Sequence, residues 1–435
     1  MMIMKRIIFF ILLTIFVLCS CSSCFALQSG YISGLSLEEC LNIALENHPS
    51  LKRTKGATRA AEASLEKIKS SNRVKVAVSG TVRRNGDYKD WETGSNYGGL
   101  SLTASKVLYD TNVNKLNREI QTKNLENARE DETLTQVSVA ATAKRAYYDL
   151  VLRILNRDVQ REKLHNLEEH LKTAKGIYDV GNSSLIDVTK AEADVAGARV
   201  SVLQAENDVA VSQESLRVAM GVSDYDIFNL FLSTKLFLPQ PSDNLEQLLS
   251  TALTDRADYR KILNSIEKDK LQIKASARGN AVTVKGNLSN TFSKNERTNS
   301  TTEYVASVTV DVPVEDGGET KANVEIARAQ LDQDMAEEES LRQSIQSKVR
   351  SASLSLANAI ERVKSSEMTV KHSEENLSLA EGRYEVGVGD ALEVSDAVST
   401  LASSRYTLYQ ALYDAQVARS DLDEALGHLP IELQQ

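Results

Sequence analysis

The sequence contains an internal repeat, and this repeat limits the possible folds more than any other feature. Residues Tyr178–Gly181 resemble Tyr384–Gly387, and residues Leu216–Gly221 resemble Leu422–Gly427, each 206 positions later. Anchors at one common spacing indicate a tandem duplication of a unit of about 206 residues. We therefore expect a first repeat over residues 27–228, a linker over 229–244, a second repeat over 245–429 and a tail over 430–435.

Each repeat opens with an amphipathic stretch in which apolar residues recur with a helical period, residues 36–69 in the first and 245–277 in the second. Two segments follow in which apolar and polar residues alternate with a period of two, and this pattern predicts strands. We expect strands at about residues 73–84, 97–108, 281–292 and 303–314.

The length and alternation of these strands suit a membrane-spanning barrel. The same alternation equally describes an ordinary antiparallel sheet with one buried face. Four strands cannot close a barrel alone, because the smallest bacterial barrels have about eight. If the strands span a membrane, several copies of the chain must contribute to one barrel.

A long helical hairpin is predicted after each pair of strands, at about residues 111–221 and 319–427. Proline is absent between Asp110 and Leu238 and between Val314 and Leu429. Strong helix formers dominate both regions. Helices of this length are typical of coiled-coil-like packing, and glycine at the turns fits a helix stop.

The N-terminus has the layout of a secretory signal. Lys5 and Arg6 precede an apolar run over residues 7–18, and small residues follow as far as Ala26. Cleavage after Ala26 is one expectation, and cleavage before Cys21, which would leave a lipid-bearing cysteine, is the other. Ordinary cleavage leaves Cys40 as the single cysteine, so packing or oligomerisation must stabilise the exported chain.

The composition excludes several classes of function. A net charge of −9 argues against nucleic-acid binding, which needs a basic face. The five histidines form no metal-ligand pattern, and the sequence contains no nucleophile, phosphate-loop or cysteine-pair motif. We expect no enzyme activity, cofactor or metal.

The repeated order of helix, two strands and long helical hairpin resembles the TolC-like outer-membrane efflux family, the outer-membrane factors of tripartite pumps. The resemblance covers essentially all of the mature chain. Its motifs are an entry segment, a strand-to-helix turn and two hairpin tips: Ala44–Leu51, Val312–Gly318, Tyr178–Gly181 with Asp187–Val188, and Tyr384–Gly387 with Glu393–Val394.

The resemblance implies a mainly α-helical homotrimer with a β-barrel portion. Three chains would form a twelve-stranded barrel in the bacterial outer membrane, continuous with an α-helical periplasmic tunnel. The implied function is passive conduction for an efflux pump or a type I secretion system, with a periplasmic adaptor and an inner-membrane transporter as partners. A periplasmic adaptor is an alternative, but it should carry a single hairpin. A structural coiled-coil protein is another, but it would not explain the strands.

The resemblance also implies roles for residues near the hairpin tips. Glu393 and Asp396 match acidic rings at the tunnel entrance, although acids also favour the first turn of a helix. Asp187 and Tyr384 match a latch between hairpins, and Gly389 stands where a basic residue usually adds to that latch. Asp187 could instead be only an N-cap, with Tyr384 a packing residue.

The hairpin tips themselves match the docking surface for the adaptor. Val180 with Gly181, and Val386 with Gly387, would present small apolar contacts next to an open backbone. The simpler interpretation is that both glycines only end helices.

Overall fold

A computed structural model of the chain describes residues 36–85, 94–181, 184–223, 236–241, 244–295 and 298–429. The predicted signal sequence with Cys21, most of the linker and the tail lie outside the described residues. The same order of elements occurs twice. The first half contains α1 (Leu37–Asn47), α2 (Pro49–Ser70), β1 (Lys75–Asn85), β2 (Ser95–Tyr109), α3 (Val113–Asp179) and α4 (Leu185–Met220). The second half contains α5 (Leu245–Asp255), α6 (Ala257–Ser276), β3 (Thr283–Asn295), β4 (Thr298–Asp311), α7 (Glu319–Glu385) and α8 (Ala391–Leu426).

Each opening amphipathic stretch consists of two helices. His48 has an extended backbone, and its Nδ1 accepts a hydrogen bond from the backbone N–H of Ser50 over 3.3 Å. Pro49 then starts α2, where its missing N–H costs no helical hydrogen bond. Arg256 makes the corresponding break in the second half without a proline. Each break lets the short first helix turn away from the helix that follows it.

The four strands form one antiparallel sheet in the order β1-β2-β3-β4. The central pair joins the two halves, with Leu102 opposite Asn290. Strands β1 and β4 are the sheet edges, and many of their apolar side chains are exposed, among them Val78 and Val308. The expectation of a mainly helical chain with antiparallel strands is confirmed.

The long helices α3 and α7 each contain 67 residues, and the return helices α4 and α8 each contain 36. At 1.5 Å per residue, the longer arms extend about 100 Å. Both return helices end at a left-handed glycine, Gly221 and Gly427. A side chain on Gly221 would lie 2.6 Å from the Cα atom of His48, and one on Gly427 would lie 2.9 Å from that of Arg256. Each return arm is therefore packed tightly against the break between two short helices.

The hydrophobic core is spread along the hairpins. One cluster joins α5, α7 and α8 around Leu356 and Leu422, and another joins α1, α3 and α4 around Leu150 and Leu216. A third lies towards the hairpin tips and contains Leu167 with residues of α4, α7 and α8. The two hairpins are therefore held together by a shared apolar contact.

None of the described helices combines the length and the apolar character that a membrane-crossing helix requires.

Candidate functional site at the hairpin tips

The two hairpin tips have nearly the same backbone geometry. Helix α3 ends through Val180 and Gly181, and α7 ends through Val386 and Gly387. The glycines have φ angles of +80° and +77°, and each donates a backbone hydrogen bond to the carbonyl of the tyrosine three residues earlier. Both valines are 72% exposed, and open space surrounds the position where a Cβ atom on either glycine would lie. The tips thus present two similar small apolar surfaces with an accessible backbone.

The second tip folds back onto the end of its helix. The backbone N–H of Gly389 donates to the carbonyl oxygen of Arg383 over 2.9 Å. A Cβ atom on Gly389 would lie 2.8 Å from the backbone nitrogen of Tyr384, which explains why no side chain stands there. A basic group is nevertheless present, because Arg383 lies 3.5 Å from the Glu393 carboxylate. Motif matching missed Arg383, which precedes the position where a basic residue was expected.

The two residues of the predicted latch lie near each other without a hydrogen bond between them. The Asp187 carboxylate accepts from the backbone N–H of Ser184 over 3.2 Å and completes a capping box at the start of α4. Tyr384 is buried, and its hydroxyl has no hydrogen-bond partner among the described residues. Burial, followed by the charges of Asp187 and Asp390, raises the pKa of Tyr384. The phenol is therefore neutral at physiological pH.

A different set of contacts links the hairpins near the tips. Ser395 on α8 donates to the Asp194 carboxylate on α4 over 2.6 Å, and Lys190 pairs with the same carboxylate at 2.9 Å. The ring of His170 on α3 packs against the ring of Tyr384, with centroids 5.1 Å apart. No short motif marks these residues, because each depends on a partner that lies far away in the sequence.

Ion pairs strengthen the contact between α3 and α8 farther from the tips. Arg405 on α8 pairs with Glu162 on α3 and, at 2.8 Å, with Glu374 on α7. Arg145 on α3 pairs with Asp421 and Glu424 on α8, each at 2.6 Å. The contact between the hairpins therefore combines apolar packing with charge pairing along much of its length.

The two acidic residues predicted for the entrance lie one turn apart on α8. Glu393 is in the first turn of that helix and half exposed, and Asp390 caps the same helix end. Asp396 is exposed beside a groove of about 560 Å³ whose other lining residues all carry hydroxyl groups: Ser366, Thr369, Ser399, Thr400, Ser403, Ser404 and Thr407. A single chain supplies one such pair of carboxylates, so a ring of them requires further copies.

Within the described ranges, no cluster of three or more His, Cys, Asp or Glu side chains is arranged to bind a metal ion. Cys40 is fully buried, and burial raises the pKa of its thiol to about 12. This cysteine is thus a packing residue of the α1 core.

In comparison with known proteins, both halves of the chain match the same protein family. A family model described as "Outer membrane efflux protein" matches residues 40–222 and again residues 248–428. The chain is 24% identical over 269 residues to the outer membrane protein TolC of Vibrio cholerae, a match covering 60% of each protein. It is 25% identical over 276 residues to the probable efflux pump outer membrane protein TtgC of Pseudomonas putida, covering 60% of this chain and 56% of that one.

Among solved structures, the Campylobacter jejuni CmeC outer membrane channel superposes with a TM-score of 0.77 at 14% identity. The superposition covers 91% of this chain and 87% of that one. At this level of identity the likeness concerns the fold alone.

Proposed function

The chain belongs to the outer membrane efflux protein family, and we propose that it is the outer-membrane channel of a tripartite efflux pump or of a type I secretion system. Three copies form a twelve-stranded barrel in the outer membrane and a helical tunnel in the periplasm. Cargo crosses this route passively, while an inner-membrane transporter supplies the energy and a periplasmic adaptor docks on the hairpin tips.

One observation carries the proposal: helix α3 is covered by α8, whereas no comparable packing of α4 against α7 exists within the described part of one chain. Positions 206 residues apart occupy the same place in the two hairpins. Tyr148 on α3 is buried, whereas the corresponding Leu354 on α7 is 73% exposed. Likewise Ile120, on the stretch of α3 that packs against α6, is buried, and the corresponding Ile326 is exposed.

Exposed apolar residues also lie on α4, including Val200 and Leu203. If α4 and α2 of a second copy pack on α7 as α8 and α6 pack on α3, both sets of apolar side chains become buried. Because this contact is heterologous, repeating it generates a ring if the rotation closes. Burial of exposed apolar area of this kind is the main driving force for association.

The sheet supports the same arrangement. Its edge strands β1 and β4 each lack a second neighbouring strand among the described residues. Open edges expose unpaired backbone groups, which a lipid environment does not tolerate. Pairing β4 of one copy with β1 of the next removes every edge once the ring closes, and three copies supply twelve strands.

The entrance of the channel lies at the tips. In a trimer, Glu393 and Asp396 provide six carboxylates around the threefold axis, and this field attracts cations and disfavours anions. Asp187 and Tyr384, which lie near each other at the tips, then contribute to holding the entrance closed.

Membrane fractionation tests the channel proposal. We expect the protein to sediment with outer membranes and to run as a trimer that heating converts to monomers. A monomer in the soluble periplasmic fraction would refute the proposal.

Docking at the tips is tested by bulky substitution. We expect the double variant Gly181→Trp with Gly387→Trp to assemble as trimers but to lose cargo export and adaptor cross-linking, because the indole rings fill the gap beside the backbone. The matched variant Gly181→Ala with Gly387→Ala adds strain without filling that gap, so it should retain most export. Normal export by assembled tryptophan variants would remove the tips from the interface.

A further inference from the structure

The imidazole of His170 lies where all four hairpin helices meet. It belongs to α3 and is 7% exposed. Its ring packs against Tyr384 of α7 at 5.1 Å with the ring planes inclined by 54°. The backbone carbonyl of Ala391, at the start of α8, lies close enough to the ring to raise its pKa. One side chain therefore touches both arms of the second hairpin.

The charged groups facing this ring come mainly from α4. Asp194 and Asp187 both act on the imidazole through their charges. Asp194 is already engaged by Lys190 and by the Ser395 hydroxyl of α8. From α7, Tyr384 presents a neutral phenol, and from α8 the contact is the Ala391 carbonyl. The ring thus lies in an apolar contact with anionic groups at its border.

Only the first hairpin carries this group. The position 206 residues after His170 is Asn376, which is exposed. Tyr384 is 9% exposed, whereas the corresponding Tyr178 is 40% exposed. The pairing of imidazole and phenol is therefore specific to the contact between the hairpins of one chain.

Protonation must disturb this contact. Burial is the largest influence and lowers the pKa of His170, although Asp194, the Ala391 carbonyl and Asp187 act in the opposite direction. The folded contact therefore prefers the neutral imidazole. An imidazolium within the cluster would carry a charge with little solvent, next to a phenol that already lacks a hydrogen bond among the described residues.

We propose that His170 is a pH-sensitive clasp between the two hairpins: the neutral ring holds the tips together, and protonation releases them. The clasp itself is a property of the single chain. Its consequence, that acidification favours an open entrance, rests on the proposed channel function.

The direction of the pH dependence follows from linkage. A base whose pKa is lower in the folded contact than in the separated helices binds more protons when the contact is broken. The stabilisation of the contact between the hairpins is complete above the ordinary imidazole pKa of about 6.5. It is lost as the pH falls through the lower pKa that His170 has in the folded contact.

Distance measurement between spin labels tests the clasp without any transport assay. Labels at Asp179→Cys and Val388→Cys report the separation of the two tips, and dilution with unlabelled protein leaves one labelled chain per assembly. We expect the mean separation to increase between pH 7.5 and pH 5. The variant His170→Asn introduces the residue of the second hairpin at this position and should abolish the response.

The matched control is His165→Gln, which removes an exposed histidine from the same helix and should respond like the unchanged protein. Glu381 on α7 also has a raised pKa, caused by burial and by Glu385. His170→Asn leaves Glu381 in place, so a response that survives in this variant would overturn the proposal. A constant separation in the unchanged protein would overturn it as well.

A second variant covers the case in which His170→Asn does not fold. Asp194→Asn removes an anion that favours the imidazolium while keeping an oxygen that can accept from Ser395. It should move the midpoint of the distance change to lower pH, and an unchanged midpoint would contradict the clasp. If the tips separate while bilayer conductance stays constant, the clasp stands and its role in opening the channel fails.

Discussion

The two hairpins have the same lengths and the same element order, yet they bury different faces. The long arm of the first hairpin is covered by α8 and α6 of the second half, whereas the long arm of the second exposes side chains such as Leu354 and Ile326 at corresponding positions. The two halves thus share their helices more closely than they share the surroundings of those helices. Periodicity fixes which residues share a face, but the neighbouring elements decide whether that face is buried.

One arginine position shows the same distinction. Arg199 pairs with Glu168 at 2.9 Å inside the first hairpin, and Arg405 pairs with Glu374 at 2.8 Å at the corresponding place in the second. Arg405 also reaches across to Glu162, whereas the position 206 residues after Glu162 is the exposed Met368. This pair within a hairpin therefore recurs, whereas the pair that joins the two hairpins has no counterpart.

A carboxylate placed at the corresponding positions Tyr148 and Leu354 should give the largest difference between the two hairpins. We expect Tyr148→Asp to destabilise the chain by on the order of 4 kcal/mol or more, because it removes a buried ring and buries a carboxylate. Leu354→Asp should change the stability of one chain by less than about 0.5 kcal/mol, since the site is exposed there. In the proposed trimer, however, the same carboxylate would be covered by the next copy.

Unfolding in denaturant and size-exclusion chromatography in detergent measure the two effects. Leu354→Asp should give folded monomers, and Tyr148→Asp should give little folded protein. Intact trimers of Leu354→Asp would show that this face of α7 is not a subunit contact.

Replacing two left-handed glycines with alanine distinguishes the stability cost of steric overlap from the cost of backbone strain. Gly181→Ala should cost about 1–2 kcal/mol, the penalty of a left-handed alanine. Gly221→Ala should cost more, because its Cβ atom would also lie 2.6 Å from the Cα atom of His48. Thermal unfolding of both variants, with Gly427→Ala as the counterpart in the second half, measures the difference. Equal losses at Gly181 and Gly221 would contradict the packing of the return arm against α1 and α2.

Each of the two latch residues has a counterpart in the other hairpin, so the latch can be tested against a matched control. If Asp187 and Tyr384 hold the entrance shut, Asp187→Ala with Tyr384→Phe should raise the time-averaged conductance of a single channel about fivefold, because losing about 1 kcal/mol of closing energy shifts the balance towards the open state. Tyr178→Phe, at the corresponding and more exposed position, should leave conductance unaltered. Lower thermal stability with unchanged conductance would assign Asp187 to helix capping alone.

The smallest effect is expected from the entrance carboxylates. Glu393→Gln with Asp396→Asn should reduce the preference for cations by about twofold, since the field at the entrance weakens. The corresponding residues of the first hairpin are Asp187 and Lys190, so Lys190→Gln is a matched control that should not reduce it. Reversal potentials across a salt gradient provide the measurement, and unchanged selectivity in the double variant would refute the acidic ring.

The sequence predicted the kinds of element because those depend on neighbouring residues. Apolar and polar residues alternate with a period of two over about ten residues of each strand, so local sequence is enough to recognise it. The scarcity of proline and glycine is likewise visible along α3 and α7. The break at Arg256 was harder to predict, because no proline marks it and its side chain is held by Asp258 and by the Ala425 carbonyl of a distant helix.

The contacts at the tips could not be predicted from local sequence patterns, because they too depend on distant residues. His170 and Tyr384 meet only because α3 packs against the second hairpin, and nothing near His170 in the sequence indicates this. Gly389 illustrates the opposite case, in which a departure from a family pattern was visible but its cause was not. The cause is the lack of space above the end of α7, together with the basic group that Arg383 supplies from inside the helix.

The glycines that end the return arms also restrict how this chain can evolve. At Gly221 and Gly427 the neighbouring backbone leaves no room for a Cβ atom, and the φ angles are +69° and +79°. Every amino-acid replacement that a single base change can produce from a glycine codon introduces a Cβ atom. We therefore expect no single amino-acid replacement at either position to be neutral. Lineages that alter the surfaces of the hairpins freely should still keep these two residues unchanged.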